Sequence, residues 1–136
     1  MRDLGIAEAL FQKLLDLFWL VKSNPGLQPF QLYPKGSLIT YSALCRQAGV
    51  PFMTQSAGGP LEEVAAYCEQ HHWPPINALA VNHESRYPGE GYFSAPGCSH
   101  TPDGWVDDVR AVLAFDQYPK TTPSDFGILV WPSRGS

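Results

Sequence analysis

The residues best equipped for chemistry gather in one stretch, Trp73 to Phe93. There Asn82, His83, Glu84, Arg86 and Glu90 follow a short apolar run, Ile76 to Val81, and precede the aromatic pair Tyr92 and Phe93. A histidine among carboxylates can move protons or hold a metal. His83, Glu84 and Glu90 therefore define one reading, a metal-assisted hydrolase. A second set flanks the stretch: Cys68 with His71 or His72, and Cys98 with His100, four nitrogen or sulfur donors of the kind tetrahedral zinc takes. A helical pair three residues apart joined to a Cys-x-His pair is not a common spacing for structural zinc. Cys98 and His100 also have the types of a nucleophile and its base. Such pairs are assembled in space rather than by adjacency, and no helix start directly follows Cys98 to lower its pKa. Pro88-Gly89-Glu90-Gly91 lacks the lysine and the spacing of a phosphate loop. No catalytic or metal motif is complete, so the sequence assigns no catalytic residue and no cofactor.

The same loop has the composition of a contact surface. Arginine and aromatic residues dominate interface energetics, and Arg86, Tyr87 and Tyr92 stand there with Asn82, His83, Glu84 and Glu90. These seven residues are the candidate binding site.

Composition narrows the choice of partner. The chain has 136 residues, 44% of them hydrophobic, which suits a single domain spanning 1–136 with a real core. Only 16% are charged, and the formal net charge is −4. Nonspecific affinity for nucleic acid comes mainly from Lys and Arg on phosphates, and 9 such residues spread along the chain form a poor footprint. Direct nucleic-acid binding, through Arg86 with Arg46 and Lys35, is thus the second reading. The most apolar stretch, Leu14 to Val21, is too short to span a bilayer and is broken by Asp16. No signal peptide is expected at the start. Three cysteines, Cys45, Cys68 and Cys98, are an odd number that fits free thiols in a reducing cytoplasm, with a Cys68–Cys98 bridge as the alternative.

Several elements must position the loop. Ile6, Leu10, Leu14, Phe18 and Val21 recur at helical spacing, with Phe11, Leu15 and Leu17 widening the stripe. Residues 4–22 are therefore read as an amphipathic helix, with Asp3 as N-cap and Glu8, Gln12, Lys13 and Asp16 on the wet side. Residues 27–38 read as a proline-spaced connection with one extended piece at Phe30 to Tyr33. A second helix covers Ser42 to Ala48, capped by Thr40 or Ser42 and closed by Gly49. After a loop at 51–59, a third helix starts at Pro60, runs to about His71 and buries Leu61, Val64, Ala65 and Cys68. Ile76 to Val81 then reads as a buried strand feeding a hairpin through the Pro-Gly-x-Gly turn. Thr101-Pro102-Asp103 starts a fourth helix that buries Trp105, Val109, Val112 and Leu113 and leaves Asp107, Asp108 and Arg110 solvated. Gly127 to Trp131 reads as a last strand. Trp19, Trp73, Trp105 and Phe115 are expected as core or rim anchors.

One pattern spans more of the chain. Residues 40–49, TYSALCRQAG, resemble the T-Y-G-x-L-A-x-x-x-G helix in the C-terminal domain of alkylguanine-DNA alkyltransferases and the alkyltransferase-like proteins. There too come a helix, a proline-containing entry to an apolar strand, and a loop ending in glycines and tyrosine. Leu61 to His71, Pro74-Pro75, Asn77 to Asn82 and Gly89-Glu90-Gly91-Tyr92 follow in that order, so the resemblance covers about residues 39–93. The family carries Pro-Cys-His-Arg where this chain has Ile76 to Ala80, so the reactive cysteine is missing and alkyl transfer is excluded. Leu61 to His71 holds Glu62, Glu63 and Glu69 and no Lys or Arg, unlike a DNA-reading helix. The resemblance implies an α+β fold with a winged-helix-like centre, two short helices plus a β-hairpin, packed by the long N-terminal helix and the C-terminal one. With the chemistry absent, the function implied is a non-enzymatic binding or regulatory module. It would recognise a protein of a nucleic-acid-handling assembly through the 82–92 hairpin loop.

Overall fold

The first helix buries a wide apolar stripe. The computed structural model describes residues 4–50 and 54–126, with backbone alone for residues 4, 54–59, 90 and 91. In chain order the elements are α1 (Leu4–Lys22), β1 (Gln28–Leu32), β2 (Gly36–Thr40), α2 (Tyr41–Ala48), α3 (Thr54–Gln70), a 3₁₀ turn (Ile76–Leu79), β3 (Ala80–Val81), a second 3₁₀ turn (Glu90–Ser94) and α4 (Pro102–Ala114). The class is α+β. Along α1, Ala7, Leu10, Phe11, Leu14, Leu15, Leu17 and Phe18 are all buried. The stripe is wide because α2, α3 and the Ile76–Leu79 turn all pack against this helix. Its expected cap Asp3 and the strand expected at 127–131 lie outside the described residues.

Capping follows the residue types. Thr40 Oγ1 accepts from the Ala43 amide at 3.2 Å, and Gly49 ends α2 at φ +74°, a conformation glycine adopts freely. Thr101 Oγ1 accepts from the Gly104 amide at 3.1 Å, with Pro102 at the first helical position. On α4 Trp105, Val109 and Val112 are buried and Leu113 is half-buried. The third helix starts earlier than its residues suggest: α3 already begins at Thr54, and Pro60 sits inside it. A proline there forfeits one backbone hydrogen bond. Burial of Leu61, Val64, Ala65, Ala66, Tyr67 and Cys68 along the next two turns offsets the loss.

The hairpin is corrected. Ile76–Leu79 is a 3₁₀ turn, and only Ala80 and Val81 form a strand. That strand pairs in parallel with β2, Ile39 opposite Ala80 and Thr40 opposite Val81. The chain then turns at Asn82 and enters the second 3₁₀ turn, so no antiparallel wing exists among the described residues of 76–93. The physical reason lies in β2, whose first three residues fall in the 27–38 stretch that reads as connection. All five of its residues are buried, and a strand buried on both faces is the natural partner for a parallel neighbour.

The sheet order is β1-β2-β3. β1 and β2 also pair in parallel, but Gln28 faces Gly36 while Leu32 faces Leu38, so four steps on one strand match two on the other. Three connecting residues are far fewer than a regular parallel crossover needs, and the pairing is irregular accordingly. Gly36 lies against the carbonyl oxygens of Gln28 and Gln31, closer than any side chain permits. Gly36→Ala is therefore expected to lower stability by about 1–3 kcal/mol in urea unfolding. Gly26→Ala, with no atom within 4 Å of the added carbon, is the control and should shift it by less than about 1 kcal/mol.

Candidate functional site

β3 leaves the core at Val81 and delivers the chain to an exposed loop, Asn82 to Tyr87. The loop is closed on itself. The Asn82 amide donates to the Tyr87 carbonyl at 2.8 Å, and the Arg86 amide donates to the Asn82 carbonyl at 3.0 Å. Inside this ring the Tyr87 amide donates to Ser85 Oγ at 3.1 Å, and Arg86 Nε donates to the His83 carbonyl at 2.8 Å. Arg86 adopts φ +61°. That region costs a residue with a Cβ roughly 1–2 kcal/mol. His83, Glu84, Ser85, Arg86 and Tyr87 are all exposed.

Two contacts fix the loop to the body. Pro88 is buried, and the Gly89 amide donates to the Tyr41 hydroxyl at 2.7 Å. This clasp joins the start of α2 to the Pro-Gly-x-Gly turn, two motifs that the sequence places 48 residues apart. Burial raises the Tyr41 pKa, with the Gly89 amide opposing it. On the other side the Tyr87 ring lies 5.3 Å from Trp105. Trp105 is buried and its Nε1 donates to the Ala78 carbonyl at 2.9 Å, which pins the indole to the 3₁₀ turn. Phe30 of β1 meets the same indole edge-on at 5.7 Å, and the Arg110 guanidinium sits 5.8 Å from the Phe30 ring centre. Tyr87, Trp105, Phe30 and Arg110 thus form a continuous strip beside the loop.

Of the seven expected binding residues, His83, Glu84, Arg86 and Tyr87 are displayed together, and Asn82 is half-buried at the base. Tyr92 is corrected. It is buried, and its hydroxyl donates to Asp108 Oδ2 at 2.5 Å. The Glu90 side chain lies outside the described residues. Asp108 is corrected as well: rather than being solvated, it accepts from the Ser99 amide at 2.9 Å and from Ser99 Oγ at 2.8 Å, bolting the 92–99 segment to α4. Phe30, Tyr41, Trp105 and Arg110 come to the site only through the fold. No local spacing signals them.

The His83, Glu84 and Glu90 reading includes a side chain outside the described residues. Among the described residues no three His, Cys, Asp or Glu side chains group to hold a cation. Cys68 and Cys98 are buried free thiols. His71 packs between the rings of Tyr67 at 4.4 Å and Trp73 at 4.6 Å. His100 is exposed with Nδ1 2.9 Å from the Phe93 carbonyl oxygen. Burial pushes the Cys98 thiol up to about 12, against the pull of Asn77 Nδ2 at 3.7 Å, so it is a thiol at neutral pH and a poor nucleophile. Lys35, Arg46 and Arg86 are each exposed. No helix among the described residues is long and apolar enough to cross a membrane. No family model, no curated protein and no solved structure matches this chain.

Tyr41→Phe leaves the Gly89 amide without its acceptor. Stability should fall by about 1 kcal/mol, and hydrogen exchange at Gly89 should quicken while exchange in α1 keeps its order relative to the other helices. The thiols give a pH test. Burial raises Cys68 and Cys98 from 9.0 to about 12, so the folded state holds these protons more tightly than the unfolded chain. Their contribution is complete below pH 9 and is lost as the pH rises toward 12. Urea midpoints should therefore decline across that window, and both thiols should resist alkylation at pH 8 until denaturant is added.

Proposed function

We propose that this protein is a non-enzymatic binding module that takes a protein partner on the Asn82–Tyr87 loop and the aromatic strip beside it. The observation that carries the reading is Arg86, an exposed residue held at φ +61° at the tip of a loop closed by its own hydrogen bonds. Strain of this kind persists where the surroundings impose it, and it clusters at recognition sites. A pre-ordered loop loses little entropy on binding. Arg86, Tyr87, Phe30 and Arg110 are the residue types that anchor interfaces. A net charge of −4 favours a protein over a nucleic acid as the direct ligand. The helix at 40–49 is the reason to look for that partner in a nucleic-acid-handling assembly, and the three free thiols suit a reducing compartment such as the cytoplasm.

The test separates binding from stability. Glycine accepts the Arg86 backbone without strain, so Arg86→Gly should melt no lower than the parent protein. Immobilised protein should retain a specific partner from a lysate of its host after nuclease treatment. Arg86→Gly and Tyr87→Ala should each lose that partner. Full retention by both variants would refute the proposal, and release of the partner by nuclease alone would transfer the site to nucleic acid.

A further inference from the structure

The two exposed arginines of the candidate site are held in place without being neutralised. Arg86 Nε donates to the His83 carbonyl at 2.8 Å, which fixes the guanidinium plane. Its two terminal nitrogens have no acceptor among the described residues. Arg110 is exposed on α4, with its guanidinium carbon 5.8 Å from the Phe30 ring centre. A ring face orients a cation but leaves its charge uncancelled. The exposed acids nearest in sequence are Glu84 and Asp107, and neither is ion-paired with an arginine. Lys13 with Asp16 is the one ion pair between described residues.

Aromatic surface lies between these two charges. Tyr87 is 47% exposed, more than any other large hydrophobic side chain among the described residues. Its ring and that of Phe30 meet the same Trp105 indole, at 5.3 and 5.7 Å. Trp105 stands near the start of α4, and Arg110 lies further along the same helix, about 7.5 Å on at 1.5 Å per residue. Arg86 directly precedes Tyr87 in the loop. The surface therefore runs from cation to aromatic rings to cation.

A guanidinium presents a planar fork that a carboxylate fills with two hydrogen bonds. Phosphate recognition gathers several cations on one group. Here the arginines belong to separate elements on either side of the rings, which suits two separate single charges. The net charge of −4 opposes an acidic ligand only weakly, because exposed charges more than about 8 Å away are largely screened at physiological salt.

We propose that the partner docks through an acidic segment in which two carboxylates flank an aromatic or aliphatic side chain. One carboxylate takes the Arg86 guanidinium, the other takes Arg110, and the apolar group lies on Tyr87 and Phe30. The inference rests on the binding-module reading and names the chemistry of its ligand.

A random peptide display library panned against the intact protein is the probe. Sequences with Asp or Glu on both sides of an apolar residue should be enriched. A synthetic peptide of that consensus should bind saturably and shift the Arg86 Nε–H and Trp105 Nε1–H signals in nuclear magnetic resonance spectra. Its Asn/Gln counterpart should bind at least about tenfold more weakly, and Arg110→Gln should weaken the acidic peptide about tenfold without lowering the melting temperature. Enrichment of sequences without acids, equal binding of the two peptides, or undiminished affinity in Arg110→Gln overturns the proposal. Should the native partner still be lost from Arg86→Gly and Tyr87→Ala in that event, the loop binds protein by other chemistry and the module reading stands. Displacement of the consensus peptide by inorganic phosphate at matched ionic strength would assign the site to a phosphorylated ligand and overturn the carboxylates.

Discussion

Six consecutive residues, Ile76 to Val81, are shut away from water, and that single constraint organises the molecule. A buried backbone must satisfy its polar groups internally. Here the Ala78 amide turns back to the Pro75 carbonyl, the Ala78 carbonyl takes the Trp105 indole N–H, and Ala80 and Val81 pair with β2. The first is local, and the other two recruit α4 and β2. α1, α3 and α4 all pack against the 3₁₀ turn, and β2 against the strand. The buried segment is the hub, and the helices are arranged by the need to cover it.

The surface loop inherits its order from that hub. Val81 is buried and Asn82 is not, so the chain leaves the core at a defined point and direction. Trp105, held by the hub's carbonyl, supports the Tyr87 ring from below, and Phe30 extends the support toward β1. Tyr41 closes the far end at Gly89. An exposed left-handed arginine survives because both ends of its loop are anchored to rigid parts. Without those anchors the backbone would relax to an ordinary conformation at little cost.

Much was legible in the residues. The α1 periodicity, the Thr40 and Thr101 caps, the Gly49 stop and the buried faces of α3 and α4 each depend on neighbours within a turn or two, and they follow from spacing alone. The exposure of His83, Glu84, Arg86 and Tyr87 was also readable, as a polar run between a buried segment and a glycine turn. The misreadings share one cause. A short apolar run such as Ile76 to Val81 states that it is buried but not what it pairs with. The hairpin, the solvated Asp108 and the exposed Tyr92 all assumed local partners. The actual partners are β2, the 92–99 segment and α4, each a tertiary neighbour.

By itself the sequence determined the four helices in outline, the burial of the central run and the identity of the polar tip. These rest on the 3.6-residue period, on capping chemistry and on hydrophobicity, all of which act over a few residues. Only the tertiary structure decided that the central strand runs parallel to β2, that Tyr41, Trp105 and Phe30 support the loop, and that Gln12 faces the 115–126 segment. Those outcomes are contacts between residues tens of positions apart. They are set by which buried polar groups find partners when the whole chain closes, and no local window contains that information.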